Sequence, residues 1–188
     1  MELSTERLWF DGLRDSDAKV LFAYRADPEV SRYQGWRPES LDEAKGFIRN
    51  QSGLIDPAPG EWFQRAIRRI DDGRLIGDLG LCLSGDGQAE FGITLMPSAQ
   101  GQGFAREALG GLLRELFGRL GVHRVHASVD PRNAPSVALL TAVGMRQEAH
   151  FRESQRFRGE WVDDVVFAML SREWYETHAK GAGFAASR

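Results

Sequence analysis

Cysteine is almost missing from this 188-residue chain: Cys82 stands alone, so no disulfide can close within it. A lone thiol fits a reducing compartment, and a cytoplasmic location is the expectation. Long apolar runs are missing too. None approaches the roughly 18 residues a membrane helix needs. The start carries Glu2 and Glu6 and no apolar core, so it does not read as a signal peptide. A strong charge excess is absent. The net charge of −3 gives no global case for nucleic acid or an acidic membrane as a partner. Cys/His clusters at ligand spacing are absent. His123 and His126 stand three apart in an apparent strand and so face opposite sides, and no metal is expected. What is present is 42% apolar and 27% charged, the balance of an ordinary globular chain with room for one domain or a tight pair.

The pattern of turns and periodicities divides the chain. Leu8 and Phe10 alternate as a first strand, with Leu13 leading out of it. Asp15 offers an N-cap for a helix reaching Ala26, with Ala18, Leu21, Phe22 and Arg25 at helical spacing; Asp27-Pro28 ends it. Residues 30–38 make an aromatic loop. Ser40, with Glu43 three residues on, begins a helix whose stripe is Leu41, Ala44, Phe47, Ile48 and Gln51. Residues 54–60 read as a loop. Strands at 62–70, 75–83 and 88–95, parted by Asp71-Asp72-Gly73 and Ser84-Gly85-Asp86-Gly87, predict an antiparallel meander. After a long helix closed by Gly121 come a strand at 123–130, a helix from Asn133 to Gly144, a strand at 145–152, a charged turn at 155–160 and a strand at 161–170. Trp174 and Tyr175 pack as a short tail, and residues 180–188 fray. The order gives a mixed α/β fold, a largely antiparallel sheet flanked by helices. The expected organisation is one domain over residues 1–178 and a flexible tail over 179–188.

Residues 90–120 organise the rest. A strand runs into Met96-Pro97-Ser98-Ala99, then Gln100-Gly101-Gln102-Gly103-Phe104-Ala105, then a helix. Ala105, Ala108, Leu109, Leu112, Leu113, Leu116, Phe117 and Leu120 fall on one face at alternating steps of three and one. Glycines before a helix start, where amide N–H groups are unpaired, suit a phosphate or pyrophosphate. The bland reading is a plain strand-to-helix turn. No Gly-Lys-Ser/Thr follows, which excludes a P-loop, and Arg106 stands where a dinucleotide fingerprint needs its third glycine. Gly110 and Gly111, inside the helix, suggest close packing against a strand.

Gln100-X-X-Gly103-X-Ala105 after a strand resembles the Gln/Arg-X-X-Gly-X-Gly/Ala motif of the GNAT N-acetyltransferases. Asn133-X-X-Ser136 followed by Gly144-Met145 resembles that family's second block. Arg7-Leu8, the run Phe104-Ala105-Arg106-Glu107-Ala108-Leu109, Asp27-Pro28-Glu29-Val30 through Trp36, and Trp161-X-Asp163 are similar to the branch holding the ribosomal-protein N-terminal acetyltransferases. The resemblance covers roughly residues 3–175. It implies an acyl-CoA N-acyltransferase fold and transfer of acetyl from acetyl-coenzyme A to a primary amine by direct attack. The acceptor is a protein N-terminus or a small molecule such as an aminoglycoside, an amino acid or a polyamine; a coenzyme-A-binding protein without turnover is the rival. Both monomer and homodimer are open.

The resemblance also implies roles. Amides of Gln100, Gly101, Gln102, Gly103, Phe104 and Ala105 would hold the pyrophosphate, with Arg106 adding charge. Thr94, Leu95 and Met96 would pair with the pantetheine arm like a strand. Asn133 would contact that arm, beside its plain reading as an N-cap. Ser136 is the candidate acid for the departing thiolate, because Leu140 stands where much of the family has a tyrosine; its plain reading is a bond to first-turn amides. Glu90 and Glu153 are candidate bases, with Gln155 equally placed as Glu153. Tyr33, Gln34, Trp36, Trp161 and Asp163 are candidates for the acceptor cleft. Cys82 reads as a buried strand residue, not a nucleophile.

Overall fold

Two glycine turns read from the sequence set the register of the sheet at its centre. The computed structural model describes residues 1–51 and 58–182. Along the chain lie β1 (Leu3–Ser4), β2 (Leu8–Asp11), a 3-10 turn (Asp15–Asp17), α1 (Ala18–Arg25), α2 (Pro28–Ser31) and α3 (Leu41–Gln51). The meander follows as β3 (Trp62–Arg69), β4 (Leu75–Leu83) and β5 (Gln88–Leu95). A second 3-10 turn (Pro97–Ala99) leads to α4 (Phe104–Phe117), then β6 (Arg124–Val129), α5 (Ala134–Ala142), β7 (Arg146–Phe157), β8 (Glu160–Leu170) and α6 (Ser171–Ala182).

The eight strands form one sheet in the order β1-β2-β3-β4-β5-β6-β8-β7. Every neighbouring pair is antiparallel except β5 with β6. That parallel pair decides where the site lies. β5 pairs with β4 from Ala89 to Leu95 but with β6 only over Gln88, Ala89 and Glu90. Beyond Glu90 the two strands part, and one edge of β5 has no strand partner. Backbone groups on such an edge need other partners.

Strand alternation sends successive side chains to opposite faces. Phe63 and Ile67 of β3 join a core with Leu109, Leu112, Leu113 and Leu116 of α4 and Trp174 of α6. Ala66, between them, joins a second core with Leu21 of α1 and Ile48 of α3. The sheet is therefore covered on both faces. Gly111 explains how closely α4 sits: a Cβ there would lie 2.7 Å from Thr5 Cγ2. Gly110 faces open space. Only one of the paired glycines serves close packing.

Several boundaries differ from the sequence reading, each for a local reason. Asp15 does not cap α1; the Arg14 N–H donates to Asp17 Oδ2 at 2.8 Å, and Asp17 is buried on Arg68. Asp27 does more than end α1, since its carboxylate accepts from the Glu29 N–H at 2.8 Å and caps α2, with Pro28 in the first turn. α4 stops at Phe117 with Gly118 as its cap, before Gly121. The charged segment at 155–160 is not a long turn. β7 continues to Phe157, and Arg158 (φ 49°) and Gly159 (φ 91°) make a two-residue hairpin turn with both positions left-handed. α6 carries Trp174 and Tyr175 on a helix reaching Ala182. The loop reading over 54–60 falls largely outside the described residues, as does the tail beyond 182. Among the described residues no helix is long and apolar enough to cross a membrane.

Candidate active site

Two cavities meet where β5 and β6 part. The first, about 530 Å³, lies against the glycine turn and is lined by Thr94, Leu95, Gln100, Gly101, Gly103, Phe104, Ala105 and Arg106. The second, about 300 Å³, lies on the far side and is lined by Glu90, Gly92, Ser128, Asp130, Gln155, Phe157, Asp163 and Asp164, among others. Both share a wall of Tyr33, Gln34, Ile93, Asn133, Ser136 and Leu139. Three separate parts of the chain converge on that wall: the loop after α2, the far half of β5, and the start of α5 with its N-cap.

The turn beside the first cavity is braced from behind. Gly101 (φ 72°) and Gly103 (φ 80°) take backbone torsions that L side chains rarely adopt. Gly103 is the N-cap of α4 and brings no side chain to its first-turn amides, which stay available to an anion. The Gln100 Nε2 donates to the Leu95 carbonyl at 3.0 Å, and the Gln102 Nε2 to the Ser98 carbonyl at 2.6 Å. Arg7 clamps the turn to α4. Its N–H and Nε donate to Glu107 at 2.7 and 2.6 Å, its Nη1 donates to the Gln102 carbonyl at 3.2 Å, and its guanidinium lies 4.4 Å over the Phe104 ring. Thr5 adds a 2.6 Å bond to the same carboxylate. Burial pushes the Glu107 pKa up, but the bonds from Thr5 and Arg7 outweigh it and hold Glu107 below the usual carboxylate range.

Cations and an orphaned hydroxyl also line this first cavity. Arg32 and Arg132 stand with Arg106 in its wall. The buried Thr94 Oγ1 has no hydrogen-bond partner among the described residues. Sequence reasoning missed Arg32 and Arg132. The only signal was position: each flanks a residue already singled out, Tyr33 and Asn133.

The second cavity is acidic. Glu90, Asp130, Asp163 and Asp164 line it, and among the described residues no lysine or arginine does. Asp130 is paired with Arg132, whose Nη2 donates at 2.6 Å, and this holds its pKa low. Asp163 accepts from the Glu153 N–H at 2.9 Å and lies 2.7 Å from His150 Nε2; both contacts lower its pKa, the Glu153 N–H most. Asp164 is only 8% exposed and takes the Ser128 hydroxyl on Oδ1. Glu90 sits opposite Cys82 on β4 and His126 on β6. Burial lowers the His126 pKa despite the Glu90 charge beside it. The Cys82 thiol is half-buried rather than buried, and burial, then Glu90, pushes its pKa up. A protonated thiol is a poor nucleophile.

Two straps tie the loop over both cavities. The Tyr33 hydroxyl donates to the Arg132 carbonyl at 3.3 Å, and Arg158 Nη2, at the tip of the β7–β8 hairpin, donates to the Ser31 carbonyl at 3.0 Å. Asn133 caps α5 by accepting from the Ser136 N–H at 3.3 Å. Its plain capping role is therefore present. The Ser136 hydroxyl, by contrast, has no hydrogen-bond partner among the described residues.

The structure gathers most of the sequence candidates and leaves five away from the cavity walls. Trp36 stacks on Phe47 with ring centroids 4.2 Å apart and joins the α1–α3 core, so it props the loop from beneath. Trp161 is 61% exposed near the hairpin tip. Met96 and Gln102 line a different cavity, beside Arg68, Leu75 and Ile76. Glu153 (φ 45°) sits in a bulge between Phe151 and Gln155, where residues 152–154 stand opposite Asp163 alone, and it is Gln155, not Glu153, that lines the second cavity.

Known proteins match this arrangement. The acetyltransferase (GNAT) domain family matches residues 7–146. N-acetyltransferase p20 of Bacillus licheniformis is 31% identical over 175 residues, 92% of this chain and 97% of the relative. The ribosomal protein uS5 alanine N-acetyltransferase of Escherichia coli K12 is 26% identical over 181 residues, 93% of each. The crystal structure of spermidine N-acetyltransferase from Vibrio cholerae, in complex with CoA and spermine, superposes with a TM-score of 0.77 at 22% identity, covering 90% of this chain and 99% of that one.

Proposed function

The chain belongs to the GNAT acetyltransferase family, and from that premise we propose that it moves acetyl from acetyl-coenzyme A to a primary amine by direct attack. The carrying observation is the pair of cavities that share one wall under the parted strands. A reaction without a covalent enzyme intermediate needs two substrates bound together, with their reacting atoms at a common boundary.

The residues of the first cavity fit acetyl-coenzyme A. Uncapped α4 amides and Arg106 offer donors and charge to phosphates, and Arg32 and Arg132, paired with Glu29 and Asp130, add the N–H groups those pairs leave over. The free edge of β5 offers strand-type pairing to the amides of a pantetheine arm, and the orphaned Thr94 hydroxyl lies in the same wall. The thioester, when bound, supplies an activated acyl group. Ser136 reaches both cavities and carries a free hydroxyl, which suits relay of a proton to the departing sulfur. Glu90 lines the acceptor side and suits acceptance of the proton the amine must lose. Asn133 holds the first turn of α5 and with it the height of Ser136.

The acidic second cavity attracts an ammonium group. A protein N-terminus satisfies that requirement with one charge, and its amine, with a pKa of about 8, sheds a proton more readily than an alkylamine at about 10.4. The uS5 relative supports this acceptor. The four carboxylates favour a second reading, a small amine carrying more than one positive charge. Thiol release from acetyl-coenzyme A with a panel of N-terminal peptides, polyamines, aminoglycosides and amino acids tests both. Coenzyme A binding without turnover on any amine would overturn the enzyme reading.

A further inference from the structure

Gln34 is the feature that acetyl transfer, as set out above, leaves without a job. It belongs to the wall shared by both cavities. Its amide has one bond among the described residues: Arg25 Nη1 donates to Gln34 Oε1 at 3.4 Å. A guanidinium can only donate, so the amide oxygen must be the atom that faces it. The Nε2 and its two N–H groups therefore turn away from Arg25.

Arg25 is held hard in place. Its Nε donates to Asp78 Oδ1 at 3.0 Å and its Nη2 to Asp78 Oδ2. Asp78 is fully buried and also accepts from the Tyr24 hydroxyl at 2.6 Å and from Gln64 Nε2. The Arg25 guanidinium lies 5.7 Å from the centre of the Trp36 ring, which is itself stacked on Phe47. A rigid, water-excluded network thus ends in one amide at the boundary where an acyl group and an amine would meet.

We infer that Gln34 is a catalytic residue whose Nε2 donates a hydrogen bond to the carbonyl oxygen of the transferred acyl group. When an amine attacks that carbon, the electron pair of the C=O bond moves onto oxygen, then returns as the C–S bond breaks. A donor fixed at that oxygen stabilises the charge only while it develops, so its effect falls on kcat. This inference rests on the acetyltransferase reading, and its failure is distinct from the failure of that reading.

The test uses the full chain and an amine that the parent acetylates. Gln34→Glu keeps the size and the contact to Arg25 but removes both donors; Gln34→Met gives the same readout should the carboxylate prevent folding. The expected result is a fall in kcat of about 10²–10³-fold, the loss typical of one such donor. The dissociation constant for coenzyme A, the KM for the amine and the melting temperature stay close to the parent values. A kcat within about threefold of the parent overturns the inference. So does a raised amine KM, or weaker coenzyme A binding, with kcat intact, because either makes Gln34 a binding contact alone. A parent with no turnover on any amine would remove the acetyltransferase reading and the inference with it.

Discussion

Replacing Asp78 by alanine should cost this protein more stability than most single substitutions. Asp78 is fully buried, with Tyr24, Arg25 and Gln64 all donating to it. Burial alone would lower the Arg25 pKa, yet the Asp78 charge and hydrogen bonds outweigh it, so Arg25 stays charged in the folded state. Removing Asp78 strands that cation in the interior, a loss of about 3–5 kcal/mol. The Tyr24 hydroxyl and Gln64 amide lose an acceptor as well, but these groups act as one network and their losses do not simply add. For a chain of this length each kcal/mol moves the melting temperature by about 2–4 °C, so a drop of about 6–20 °C is expected. Urea unfolding followed by tryptophan fluorescence should give a lower midpoint with an unchanged slope. The control is the double variant Asp78→Leu with Arg25→Met, which removes both charges and should recover most of the loss. A single variant within about 1 kcal/mol of the parent, or a double variant as unstable as the single, would refute the reasoning.

Three further outcomes are expected. Ser136→Ala should lower kcat by about 10²-fold while calorimetry finds coenzyme A affinity unchanged; an unchanged kcat removes Ser136 as the proton donor. Gly103→Ala forces a side chain to a φ of 80° and brings its Cβ to 3.5 Å from Arg7 Nη2, so coenzyme A should bind less tightly and the melting temperature should fall. Equal affinity and melting in this variant would show that the turn does not need its left-handed residue. Glu107 has a folded pKa below its unfolded value, so its contribution is present above the unfolded pKa of about 4.3 and is lost as pH falls through the folded one. Glu107→Gln should therefore flatten the acid side of the stability-against-pH curve, and a curve of unchanged steepness counts against the clamp.

Local chemistry was legible in the sequence, and long-range pairing was not. Strands β4 and β5 match the residues read from alternation and flanking turns, because a hairpin with glycine in its turn fixes its own register. The glycine turn and the Asn133 cap were legible for a like reason, since each motif spans a few residues. β7 was read too short because it is exposed along most of its length, so no apolar alternation marks it. Trp36 reads as a binding aromatic until Phe47, eleven residues later, supplies its stacking partner. Asp164 and Ser128 meet only because β6 and β8 are neighbours in the sheet, and nothing local to either residue announces that. Arg7 likewise gains its meaning from Glu107, a hundred residues away.

The wall common to the two cavities has a thermodynamic consequence. Tyr33, Gln34, Ile93, Asn133, Ser136 and Leu139 cannot be shaped by an occupant on one side without altering what the other side meets. Any change one ligand makes in the affinity of the second is returned by the second to the first by the same factor. On the proposed reaction, an amine that orders this wall and an acyl donor that orders it would each change the other's dissociation constant by one common factor. Selectivity for the proposed amine would then be legible in the affinity for coenzyme A.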